Sequence, residues 1–385
     1  MCSNIVRLGV VVAMLASCSG AWAAEPAAAA ATSPAGLNLA EVRREVLAYC
    51  ESIRDTVGPY GCYRAGPGKP PDSYAACDVA ILRTIMGEDL TKTLSEAERR
   101  QWIDHINSFQ QPEDGHYEAR LGHSPLHGNG MTIGALGVLG GRQKFPVKLY
   151  EPFDTPDKVA QWLDTTVDWR AQWSGSHLFW GGMHCFSLSR ACTPAWRERA
   201  FAWLDANLDP ATGWWRKGVP HKDRHQPLGG SVHILPIYQH HARPFPLPER
   251  VIDSVLALQL PSGRWLQTKD KAKDANVMDY LELDALYALR YMQSLRPAYR
   301  ADDVRAAVDK YAALVCREWP KFKGTLFAGH PHRVLAAVST FGLLQQFFPE
   351  RFPDEAKWTD IFSDIRFYRT DAVENLPAAP AAATP

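Results

Sequence analysis

The chain lacks an excess of either charge, with 42 basic residues against 42 acidic ones. That balance removes the usual case for nucleic acid or a polybasic membrane surface as partner. A bilayer-spanning run is also missing near the start. The apolar stretch Leu8–Ala16 falls well short of the ~20 residues a membrane helix needs. No Cys-x-x-Cys pair occurs, so zinc held through sulfur is not expected. No metal or cofactor is assigned from the sequence. What is present is an ordinary globular composition, 46% hydrophobic and 22% charged, with thirteen tryptophans. Tryptophans in that number suit either stacking on sugars or packing between helices.

The most informative pattern is a helical repeat. An amphipathic helix runs into a glycine turn, a polar loop and a second, more apolar helix, six times over. Start signals stand at Asn38 and Ser95, each three residues before a glutamate, as in a capping box. Thr155-Pro156 and Thr193-Pro194 place a hydroxyl cap before a first-turn proline. Pro248, and Asp302-Asp303, open the last two. The intervals are 57, 60, 38, 55 and 54 residues, a repeat period of helical pairs. Expected turns are Tyr60-Gly61, Asp114-Gly115, Ser174-Gly175, Thr212-Gly213, Ser262-Gly263 and Lys323-Gly324. The second helices carry little charge on any face, the mark of buried helices. Two alternating layers predict an all-α (α/α)6 toroid of hairpins over residues 38–370. An open solenoid is the alternative.

Two turns carry a resemblance. Gln259-Leu-Pro-Ser-Gly-Arg-Trp265 and Gln110-Gln-Pro-Glu-Asp-Gly-His-Tyr117 resemble the glutamine-to-glycine-aromatic turns of the terpenoid cyclase and protein prenyltransferase toroid superfamily. Toroidal polysaccharide lyases and glycoside hydrolases share that ring. The resemblance implies a fold and selects no reaction. Met278-Asp-Tyr-Leu-Glu-Leu-Asp284 does not match the acidic quartet of squalene-type cyclases, and Cys77-Asp78 has the wrong order for the prenyltransferase zinc motif.

Residues 1–23 read as an export signal, followed by an Ala/Pro linker over 24–37 and, at the far end, a low-complexity tail over 371–385. Leu15-Ala-Ser-Cys18 resembles a lipobox, which would lipidate Cys18; Ala21-Trp-Ala23 fits ordinary signal peptidase instead. Either reading places the protein in the periplasm or tethered to the bacterial outer membrane. An oxidising compartment makes Cys62 and Cys77, which bracket the first loop, the expected disulfide. Cys50, Cys185, Cys192 and Cys316 are expected as core thiols.

In a ring of hairpins, every outer-to-inner turn lies on one rim. Polar residues that open the inner helices therefore converge. Those positions hold Asp78; His123, His127 and Asn129; His177, Trp180 and His184; Arg224, His225 and His233; Asp274, Asp279 and Tyr280; His332 and Arg333. A concave, aromatic, histidine-rich mouth is the expected active site. Beside that reading stand plainer ones. The loop histidines can be solvated, Asn129 can serve a tight turn, and Asp284 can be a hydrogen-bonded structural carboxylate. Trp214 and Trp215 can pack between repeats, and His240-His241 can close a helix.

The chemistry expected first is β-elimination on an anionic, uronic-acid-containing oligo- or polysaccharide. Neutral His, Tyr, Asn and Arg suit that reaction, because a carboxylate base would be repelled by the substrate. Asn129 and His184 would bracket the substrate carboxylate, His233 act as base and Tyr280 as proton donor. His127, Trp180, Arg224, His225, Asp279, His332 and Arg333 would bind the glycan. An inverting glycoside hydrolase built on rim carboxylates, or a non-catalytic glycan-binding lipoprotein, are the alternatives.

Overall fold

A computed structural model describes residues 36–118, 121–267 and 276–370. The export signal, Cys18, Asp274 and the tail lie outside the described residues. Within them the regular elements are helices, with isolated β-bridges and no strands. The longer helices are α1 (Leu39–Ser52), α2 (Ser73–Ile85), α3 (Glu96–Asn107), α4 (Pro125–Leu139), α5 (Pro156–Thr165) and α6 (Pro194–Ala206). They continue as α7 (Leu235–His240), α8 (Pro248–Leu258), α9 (Tyr280–Leu295), α10 (Ala301–Phe327) and α11 (Pro331–Phe347). None among the described residues is long and apolar enough to cross a membrane.

The sequence signals start these helices where their chemistry says. Asn38 caps α1 by accepting the Ala40 N–H, and Ser95 with Glu98 forms a complete capping box at α3. Thr155 and Thr193 cap α5 and α6 ahead of their prolines. Burial separates two kinds of helix. On α3 only Trp102 and Ile106 are buried, whereas α2, α4 and α11 are buried nearly all round. Turns between the layers repeat a device. Gln110 donates to the carbonyls of Gly115 and Phe145; Gln259 donates to those of Gly263 and Ala307. Each glutamine thus clamps its own turn and ties it to a distant backbone carbonyl, which for Gln259 lies in the next unit. The turn glycines have φ of 72° at Gly115 and 96° at Gly263, a region that favours glycine.

Three expectations are corrected. Lys323-Gly324 makes no turn, because α10 runs through both to Phe327. The third and fourth inner segments are not plain α-helices. Leu178–His184 is π-helical, and Pro227–Ile234 passes through π and 3-10 turns before α7. Cys62 and Cys77 are separate buried thiols. The Cys62 Sγ lies 3.9 Å from an Asp55 carboxylate oxygen, while Cys77 sits in the middle of α2 with Thr132 of α4 as its partner.

Neighbour relations among the buried segments follow an order. Helix α2 packs on α4, α4 on the π-helical segment, and that segment on Val232–Ile234. Pro227–Ser231 packs on α9, α9 on α11, and α11 on α2. The stretch 348–370 then touches all of them. Thr359 donates its N–H to Ile85 at the end of α2, and Phe362 packs on His233 and on Tyr287 of α9. Tyr368 lies 3.9 Å, ring to ring, from His184. On α4, a Cβ added at Gly137 would stand 2.2 Å from the carbonyl oxygens of Arg366 and Arg369; on α11, one at Gly342 would stand 1.7 Å from that of Thr359. Only glycine lets this segment lie so close.

Candidate functional site

The N-terminal ends of the inner helices supply most of the walls of one cavity of about 310 Å³. Its polar lining includes His123, His127, His177, His233, His332, Asp279, Tyr280 and Asp284, with two serines, Trp173 and Trp180 beside them. Ile361 and Phe362 of the C-terminal stretch and Leu335 contribute apolar surface. No lysine or arginine is among the described residues that line it.

Local sequence positions each group. His127 stands in the first turn of α4, behind the Ser124-Pro125 start, with His123 just outside the helix. His330 caps α11 and is followed by Pro331, which sets His332 on the first turn. Asp279 caps α9 and accepts the Tyr280 N–H at 2.7 Å. His177 and Trp180 open the π-helical segment. His233 belongs to the 3-10 turn before α7, near the carbonyls of Gly229 and Gly230.

A hydrogen-bond chain orders one side of the cavity. The His332 backbone N–H donates to His330 Nδ1 at 3.1 Å, so His330 carries its proton on Nε2, which lies 3.2 Å from Asp72. His332 Nδ1 lies 3.0 Å from the fully buried Asp78 carboxylate, an acceptor, so Nδ1 is protonated and Nε2 bears the lone pair. The Tyr280 hydroxyl donates to the His332 carbonyl at 2.8 Å and lies 3.3 Å from His332 Nε2. One ring nitrogen from each of His123, His127 and His332 falls within 4.8 Å of the others, a spacing able to hold a metal ion.

Burial sets the protonation states around the cavity. It lowers the His123 imidazole to about 4, helped by the nearby His332, and pushes His127 well below its ordinary value. His233 is lowered to about 3, by burial first and His177 second. Asp284 is pushed well above the carboxylate range by burial, then by Asp279 and Glu282. Neither of its oxygens has a hydrogen-bond partner among the described residues. At neutral pH the wall therefore offers neutral imidazoles at His123, His127 and His233 and a protonated carboxyl at Asp284.

Of the residues singled out in the sequence, His123, His127, His177, Trp180, His233, Asp279, Tyr280, Asp284 and His332 meet in this cavity. Asn129 and His184 do not. Asn129 is fully buried, its amide donating to the Tyr150 hydroxyl and the Gly181 carbonyl at 2.9 and 2.7 Å. His184 is likewise sealed, paired with His240 at 3.1 Å. Asn129 lies two residues past His127 and His184 four past Trp180, and those steps are enough to remove both from the cavity. Arg224 and Arg333 are exposed, and Arg224 donates to the Ala257 carbonyl. His225 is buried with its backbone N–H on Asp223. Trp214 and Trp215 are buried packing residues, and the Trp215 indole is tied to Leu204 of α6.

Trp173 was missed, although it sits one residue before a recognised turn and could have been found there. Ile361 and Phe362 carry no local signal, since only long-range packing of their stretch on the buried helices brings them in. Comparison with family models, with curated proteins and with solved structures gives no match.

Proposed function

We propose that the chain is an (α/α)6 toroid whose histidine-rich mouth is the active site of an exported carbohydrate-active enzyme. The reaction we assign is β-elimination on a uronic-acid-containing glycan. The ring is supported by the cyclic order of neighbours and by a single C-terminal stretch that touches every inner segment. The activity reading is carried by one observation: His127, His233, Asp279, Tyr280 and His332, from distant parts of the chain, line one cavity with two tryptophans.

Elimination needs a base for the proton α to the carboxylate, donors for the enediolate and an acid for the leaving oxygen. His233, neutral and in the cavity wall, takes the α-proton. The electron pair forms the new C=C bond as the glycosidic C–O bond breaks, and Tyr280 protonates the departing oxygen. Asn129 and His184 do not reach the cavity, so stabilising the substrate carboxylate falls to the group of His123, His127 and His332. Trp180 and Trp173 give the sugar a face to lie on. Residues 1–23 would direct export, and Cys18 would tether the chain through a lipid.

One observation favours a second reading. The buried, protonated Asp284 lacks a hydrogen-bond partner in the cavity wall and could act as the general acid of a glycoside hydrolase, with Asp279 as base. A panel of anionic and neutral glycans separates the two. The lyase gives an ultraviolet-absorbing unsaturated uronate that His233→Ala abolishes. New reducing ends without that absorbance, lost in Asp284→Asn, establish hydrolysis instead. Saturable binding with no product from any glycan refutes both.

A further inference from the structure

The cavity contains a charge problem. Asp279 lines it beside the protonated Asp284, Asp78 lies fully buried with its carboxylate on His332, and no lysine or arginine is among the described lining residues. A buried carboxylate is stable only when paired with positive charge or well hydrogen-bonded. Neutral imidazole N–H groups supply hydrogen bonds without charge. Meanwhile the Nδ1 atoms of His123 and His127 are buried with no hydrogen-bond partner among the described residues. Two bare ring nitrogens close to a buried carboxylate that only imidazoles face make a set of donors suited to a cation.

We infer that His123, His127 and His332 bind one divalent transition-metal ion, of the zinc class, with Asp78 as the outer carboxylate. The geometry carries this in three steps. First, the offered nitrogens lie within 4.8 Å of one another. A tetrahedral zinc with Zn–N bonds of about 2.0–2.1 Å sets its ligand nitrogens ~3.4 Å apart, so the rings need close only a little over 1 Å. Second, His332 is already turned for the task, since donation from Nδ1 to Asp78 leaves the Nε2 lone pair free. A carboxylate behind a ligating histidine fixes its tautomer and strengthens the ligand. Third, three imidazoles leave a fourth position open, the arrangement of catalytic rather than structural zinc. That open position faces a cavity shared with Tyr280 and Asp284.

The sequence held a decoy for this site. His221-x-x-x-His225 and His123-x-x-x-His127 have the same spacing, yet only the second pair brings its rings together, with centroids 3.7 Å apart. His221 is instead spent on the Trp169 carbonyl at 3.1 Å. Metal binding stands independently of the reaction proposed above. Its consequence for chemistry rests on that reading: an ion with an open position would neutralise the uronate carboxylate, the role for which the cavity has no arginine.

The test uses the full chain, purified without a histidine tag, stripped with chelator and titrated with Zn(II) and with Co(II). One equivalent of each should bind, and the cobalt form should show the intense visible bands of a tetrahedral site. His127→Ala and His332→Ala should abolish stoichiometric binding, and His123→Ala, at the partly exposed edge, should do so without disturbing the fold. Asp78→Asn should weaken binding by about 10–100-fold. His177→Ala, which removes a cavity histidine outside the group, should bind as the parent does. Failure of the parent chain to bind either ion, or stoichiometric binding retained by both His123→Ala and His332→Ala, overturns the inference. Unsaturated product from a metal-free chain sinks the metal's part in the reaction and leaves the lyase standing. A bound metal with no product from any uronate glycan sinks the lyase alone.

Discussion

Two groups of histidines occupy this protein, and they teach different lessons. At the cavity, His123, His127, His233 and His332 stand beside carboxyl groups, a tyrosine and open space. Deeper in, His184, His240 and His241 are packed among themselves with no carboxylate hydrogen-bonded to them among the described residues. Their tautomers are nonetheless fixed. His240 Nε2–H donates to the Ser363 carbonyl, so its Nδ1 accepts from His184 Nε2–H, and the His184 Nδ1 is left bare. The Ser187 hydroxyl donates to the His184 carbonyl, so it accepts from His241 Nε2–H. Enrichment in histidine alone thus says little about chemistry. Acid partners and a void distinguish the group that can react from the group that only packs.

The comparison is sharpest as a crossed experiment. His233→Ala should lower kcat/KM by about 10²–10⁴-fold, the usual worth of a general base, with a smaller change in melting temperature. His184→Ala should do the reverse, costing about 2–4 kcal/mol through a cavity next to Tyr368 while the folded fraction turns over normally. Denaturant midpoints and initial rates on the same preparations decide it. Equal loss of activity in both variants would erase the distinction.

The deeper group should add to acid unfolding alongside the cavity imidazoles His123, His127 and His233, which burial lowers as well. Burial lowers His240 to about 4, His241 to about 3 and His184 well below its ordinary value. Their unfolded values are near 6.5. Below that pH the unfolded chain binds protons that the folded chain does not, so stability is full above about 6.5 and falls as the pH drops toward about 4. Three such groups give a slope of roughly 4 kcal/mol per pH unit in the steepest part. Chemical denaturation between those pH values measures it. A flat profile would mean that these imidazoles are wetter than their packing implies.

Much of this organisation could be read before any coordinates. Caps such as Ser95 with Glu98 act over a few residues, and the outer helix starts followed from them. The convergence of His127, His233, Tyr280 and His332 followed from a topological argument, that turns of one kind share one end. Depth along a helix was not readable: Asn129 lies only two residues beyond His127, and that rotation carries it out of the cavity. Nor was the middle of the molecule. Residues 348–370 have no repeat and no motif, and their path is set by glycines on distant helices. The Lys323-Gly324 error has the same root, since a glycine inside a helix costs only about 1 kcal/mol and long-range packing overrides it.

The stretch 348–370 separates the two histidine groups from solvent in different ways, and its seating can be loosened. Gly342→Ala sets a methyl carbon 1.7 Å from the Thr359 carbonyl unless the stretch shifts. Overpacking of this kind typically costs about 1–3 kcal/mol. Because Ile361 and Phe362 line the cavity while Tyr368 covers His184, amide exchange should rise around both groups together. Protection lost at only one would show that the stretch seats in two independent halves.

The smallest effect concerns residues that the sequence placed at the mouth and the fold does not. Arg224 is exposed and donates to the Ala257 carbonyl. Surface changes away from special features stay within about 0.5 kcal/mol, so Arg224→Ala should leave stability, turnover and metal binding near those of the parent. The result matters because an arginine anchor was the simplest way to hold an anionic sugar. A rise in KM for an anionic glycan in Arg224→Ala, absent with a neutral one, would put the carboxylate contact outside the cavity. It would also relieve the three histidines of the countercharge role that the metal inference gives them.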